Sequence, residues 1–89
     1  MAERYDIAIK VISQQGLCRA GHKVGDEWIM NGKTPAGICL SAFHSLLPHA
    51  RTMMFGGTLF WESDPDAALV ACPDARNPVV FELRRIRRA

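Results

Sequence analysis

From Tyr5 to Ser13 the chain alternates. Tyr5, Ile7, Ile9 and Val11 interleave with Asp6, Ala8, Lys10 and Ile12, a period of two that predicts a β-strand with one clearly apolar face. Gln14-Gln15-Gly16 interrupts the pattern, and a glycine-punctuated loop follows from Cys18 to Asp26. Glu27 to Met30 predicts a short second strand, closed by the strong turn dipeptide Asn31-Gly32. Lys33 to Gly37, with Pro35 inside it, is a connector.

The period then changes. Cys39, Phe43, Leu46, Leu47, Ala50, Met53 and Met54 recur at spacings of three and four, which predicts a helix with one apolar face. Ser41 reads as its N-cap. Pro48 falls inside the pattern, where it removes a hydrogen bond and crowds the preceding turn. The helix is therefore expected to run to about Leu47 and then kink or restart, with Gly56-Gly57 ending the segment. Thr58 to Trp61 predicts a brief strand, Glu62 to Asp66 a solvated loop, Ala67 to Cys72 a strand, and Pro73 to Pro78 a turn. Val79 to Arg87 closes the chain as a strand, with Val79, Phe81 and Leu83 on one side. The expected fold is α+β: a small, mostly antiparallel sheet of about four strands, with one kinked helical segment on one face. The first two strands and the last two form hairpin-like pairs. Strand order does not follow from periodicity.

Size and charge narrow this further. Eighty-nine residues, 1–89, make one domain, and a chain this long buries only roughly 60–65% of its unfolded surface. A metal or a homodimer interface would reinforce such a core. The net charge of +2 does not argue for nucleic acid. Arg84, Arg85, Arg87 and Arg88 gather at the end of the chain, and their plain reading is a solvated terminal strand. The sequence shows no basic leader followed by an apolar stretch, and no apolar run near the ~20 residues of a membrane span. The expectation is a cytoplasmic protein without a membrane partner. Three cysteines, an odd number in a reducing compartment, speak against a disulfide framework and leave metal binding, catalysis or burial.

The stretch Cys18-Arg19-Ala20-Gly21-His22-Lys23-Val24-Gly25-Asp26 sets a thiol, an imidazole and a carboxylate close together between glycines. With Cys39-Leu40-Ser41-Ala42-Phe43-His44, Ala71-Cys72-Pro73-Asp74 and Asn77-Pro78-Val79-Val80-Phe81-Glu82, it resembles a family of small bacterial and archaeal conserved hypothetical proteins of about this length. The resemblance spans nearly the whole chain. Where that family's pattern often has proline after the first cysteine, this chain has Arg19. The resemblance carries no activity; it implies a stand-alone cytoplasmic domain in which these cysteines and this histidine belong to the motif.

Two chemistries suit these residues. Cys18, His22, Cys39 and Cys72 make a Cys3His set, which zinc accepts in closed tetrahedral sites and which an iron–sulfur cluster also tolerates. The spacing differs from a zinc finger, which shows two close ligand pairs. If the second strand runs back along the first, Met30 lies at the pole opposite the Cys18 loop. The connector Asn31–Gly37 spans roughly 23–25 Å when extended, enough to return Cys39 to that loop. The alternative is an enzyme with a reactive thiol at Cys18, beside Arg19, or at Cys39, before a helix start, with His22 as base and Asp26 orienting it. A third reading is a metal-free interaction module using an edge strand or the Arg-rich tail. Each cysteine also has the plainer reading of a buried small apolar residue.

The remaining candidates read as structural. His44 and His49 are expected to be exposed or capping, Trp28 and Trp61 to be core or pocket walls, and Met53 and Met54 to be packing. Gly56-Gly57 lacks the lysine of a phosphate loop.

Overall fold

The computed structural model describes residues 4–87. Four strands and one helix follow in the order β1 (Tyr5–Gln14), β2 (Glu27–Met30), α1 (Leu40–Met54), β3 (Ala67–Ala71) and β4 (Val79–Arg87). The strands form one antiparallel sheet in the order β2-β1-β4-β3, and the helix covers one face. This is the α+β architecture that the periodicity predicts. The expected hairpin-like pairs are present, β1 with β2 and β3 with β4. The central pairing of β1 with β4, from Tyr5↔Arg87 to Gln14↔Val79, joins the two ends of the chain.

Alternation decides which face is buried. Ile7, Ile9 and Val11 of β1, and Val79, Phe81 and Leu83 of β4, point to the helix and are at most 2% exposed. Leu46, Ala50 and Met53 of α1 meet them with equally little exposure. Each large side chain so buried contributes about 1.5–3 kcal/mol. Between Val11 and Ser13 the register slips by one residue against β4. This bulge leaves Ile12 without a partner on β4 and bends the strand just before the loop that carries Cys18.

Pro48 does not end the helix. Helix α1 is continuous for 15 residues with Pro48 inside it, so the expected stop near Leu47 is corrected. The apolar positions stay in phase across the proline, Phe43 and Leu46 before it and Ala50, Met53 and Met54 after it, all buried. Seating both halves on one sheet outweighs the roughly 3 kcal/mol that an internal proline costs. The N-cap is Cys39, not Ser41. Thr58 to Trp61 forms no strand.

The arginine-rich end also departs from expectation. The Arg85 side chain is only 6% exposed. Its Nη1 donates to the carbonyls of Met53 at 2.9 Å and Gly57 at 2.7 Å, its Nη2 to the carbonyl of Pro65, and its Nε to Asp66 at 3.2 Å. Arg84 pairs with Asp64 at 3.4 Å, and Arg88 lies outside the described residues. On the edge strand β3, the Leu69 N–H is taken by the Glu62 carboxylate at 3.1 Å and the Ala67 N–H by the Asp64 carbonyl at 3.3 Å. The acidic loop thus occupies donors that an incoming strand would need. Among the described residues, no helix is long and apolar enough to cross a membrane.

Candidate functional site

Pairing of β1 with β2 sends the chain away from the Cys18 loop, since Lys10 faces Glu27 and Ile7 faces Met30. The connector after Met30 then brings it back, and α1 begins beside the loop it left. The turn after β3 reaches the same pole. Cys18, Cys39 and Cys72 therefore line one cleft of about 300 Å³, together with Arg19, Ser41, Asp74 and Asn77. All three thiols are free and half-buried. A neighbouring hollow of about 360 Å³, lined by Leu40, Ser41, His44 and Pro73, shares Ser41 and Pro73 with the cleft.

The first of two latches holding these segments together is His22. The chain turns at Cys18–Gly21, where the Gly21 N–H reaches the Cys18 carbonyl at 3.0 Å and Gly21 takes φ 79°, a conformation natural to glycine. That turn drives His22 inward until it is 6% exposed. Its ring lies edge-on to Trp28 at 4.9 Å and to Phe81 at 6.2 Å between centroids. Its Nε2 accepts the backbone N–H of Cys39 at 3.0 Å. This satisfies a donor at the first turn of α1 that the helix itself leaves unpaired.

The second latch is Asn77. Its Oδ1 accepts the Leu17 N–H at 2.9 Å, and its Nδ2 donates to Asp74 at 3.2 Å. Asp74 also accepts the N–H groups of Arg76 at 3.0 Å and Asn77 at 3.1 Å. The Asn77 side-chain bond, then these two backbone N–H groups, and lastly the Arg19 charge hold the Asp74 carboxyl below its ordinary value of 3.8, against a smaller desolvation effect. Gly16 makes the approach possible. It sits at φ 67°, and a Cβ there would fall 2.2 Å from Asn77 Oδ1. The Cys18 loop is thereby fastened to the turn after Cys72. Cys72 is itself fixed, its N–H donating to the Val79 carbonyl at 2.9 Å and its Sγ accepting the Val79 N–H at 3.3 Å.

This geometry reassigns His22. With Nε2 accepting a backbone N–H, the neutral ring carries its proton on Nδ1. Neither nitrogen then offers a free lone pair to a metal or a thiol. Among the described residues, no group of three or more His, Cys, Asp or Glu side chains stands so as to hold a metal ion, and the closed set Cys18, His22, Cys39 and Cys72 is not formed. Asp26 does not orient His22 either: its Oδ2 accepts the Lys23 N–H at 3.0 Å, closing a local turn. Cys39 caps the helix start through its backbone, with no side-chain cap bond.

The other sequence candidates divide. Trp28 packs against the core, whereas Trp61 is 57% exposed. His49 is half-buried edge-on to Trp61, with its Nδ1 buried and unpartnered, where exposure or capping was expected. Met53 and Met54 are core. Asn77 was legible only as a turn residue, because nothing local indicates that its amide reaches Leu17. Compared with family models, curated proteins and solved structures, the chain matches none.

Proposed function

We propose that the three-cysteine cleft is a site for a soft, thiophilic metal ion. Cys18, Cys39 and Cys72 are its proposed donors. In the structure they share a cleft but are not gathered closely enough to hold an ion, so the site forms only on binding, with His22 the latch behind them rather than the fourth ligand. What supports this is one observation: three cysteines far apart in sequence line a single open cleft. Burial as small apolar residues would not require them to share it. Thiolates select zinc, copper(I) or an iron–sulfur cluster over magnesium or calcium. Three thiolates leave one position open, the arrangement that zinc keeps where it meets substrate or water. Binding would draw the Cys18–Gly21 turn inward against Cys39 and Cys72. Untagged protein prepared without chelator is expected to carry about one equivalent of metal, colourless for zinc and brown for a cluster. Cys18→Ser is expected to lose it. Sub-stoichiometric metal in both proteins would defeat the proposal.

A second reading rests on Cys39. It stands at the amino end of a 15-residue helix and on the wall of the cleft, where the helix field favours an anion. This enzyme reading expects one thiol to alkylate well ahead of the other two in the native protein. Equal, slow alkylation of all three removes it.

A further inference from the structure

Further along α1, the helix and the turn at Gly32–Thr34 flank another open cleft, of about 200 Å³. Its floor is Met30, Phe43, Leu47 and Met54, and its rim carries Lys33 and Arg51. It shares no lining residue with the thiol cleft. Met30, Phe43 and Met54 are at most 9% exposed, so the floor is preformed by the core. The rim cations have no anionic partner. Among the described residues, the side chains of Lys33 and Arg51 make no ion pair and no hydrogen bond. The Arg51 guanidinium instead rests over the Phe55 ring, 5.1 Å from its centroid. Arg4 adds a third cation to the same turn, its Nη2 lying 3.9 Å from where a Cβ on Gly32 would be.

We propose that this cleft binds a small aromatic carboxylate. The volume sets the upper size, since a closed cavity of about 150 Å³ already accommodates benzene and this open cleft of about 200 Å³ has room for one ring with its head group at the rim. The floor sets the body: methionine sulfur and the edge of a phenylalanine ring both favour an aromatic partner. The rim sets the head group. A guanidinium takes a carboxylate through two parallel N–H bonds, and an ammonium adds a point charge beside it. A neutral ring leaves the cations unanswered, and a bare anion leaves the floor in contact with water. The two together select an anion with an apolar body.

Amide NMR spectra of the full chain, titrated in parallel with benzoate, benzamide and acetate, test this. Benzoate is expected to give saturable shifts centred on Met30, Phe43, Leu47 and Met54, and to bind about tenfold or more tightly than either comparison compound. Arg51→Gln is expected to weaken benzoate by about tenfold, and Lys33→Gln by less. Both side chains are exposed and make no ion pair, so the variants are expected to retain the fold, which their ligand-free spectra report directly. The proposal is overturned by benzoate shifts that do not saturate or fall elsewhere. Equal binding of benzamide, or unchanged affinity in Arg51→Gln, overturns it as well.

Discussion

The imidazole Nε2 of His22 and the backbone N–H of Cys39, 17 residues apart in sequence, meet at 3.0 Å. That bond ties the Cys18 loop to the start of α1, and it does so from inside an aromatic cage. Replacing the ring by Phe keeps the packing against Trp28 and Phe81 and removes the acceptor. The Cys39 N–H is then left without its partner, a loss of about 1–3 kcal/mol. His22→Phe is expected to show that loss in urea unfolding, and to speed alkylation of Cys39. An unchanged midpoint would mean that the bond contributes nothing.

The contact between Gly16 and Asn77 can be measured as a pair. At φ 67° an alanine costs about 1–2 kcal/mol from backbone strain alone, and its Cβ would also displace Asn77 Oδ1. Gly16→Ala is expected to cost more than the strain, and to cost less in an Asn77→Ala background. A double-mutant cycle reads that coupling directly. Strict additivity would place the two residues out of contact.

Arg85 closes the other end of the molecule. Its buried guanidinium serves the carbonyls of Met53, Gly57 and Pro65 at once. Its partner Asp66 is 61% exposed, so the carbonyls, not the ion pair, carry most of the stabilisation. Arg85→Leu leaves the part-buried Met53 and Gly57 carbonyls unpaired, and a loss of about 1–3 kcal/mol is expected. Arg85→Lys keeps the charge but cannot reach all of them from one planar fork, and should fall between Arg85→Leu and the parent. Calorimetric melting of the three proteins gives the order.

Asp74 gives a pH dependence of defined sign. Its carboxyl lies below the ordinary value of 3.8 in the folded chain, so the folded state favours the ionised form. The resulting stabilisation is fully present above pH 3.8 and is lost as the pH falls through the lower folded value. The stability difference between the parent and Asp74→Ala is therefore expected to hold at neutral pH and to shrink in acid below that point. Unfolding curves at a series of pH values check it. A difference that grows in acid would reverse the assignment.

The four strands, the helix and the two hairpin-like pairs were legible because they are local. A period of two or of 3.6 states which side of an element is apolar, and a short turn states which neighbour it folds against. Even the return of Cys39 to the Cys18 loop was within reach of the connector's length. Continuity of α1 through Pro48 was not legible. It depends on both halves finding the same sheet, and periodicity prices the proline without pricing that burial.

What the chain alone determined is the material: one small α+β domain, three thiols, and a histidine in a glycine-rich loop. Tertiary structure decided the use of that material. The β1–β4 pairing brings the first and last strands together, His22 gives its lone pair to a backbone N–H, Asn77 reaches across 60 residues to Leu17, and Arg85 turns inward. Each is a hydrogen bond or ladder between distant segments. A single side chain in sequence advertises its donors and acceptors but not the partners that folding will place in front of them.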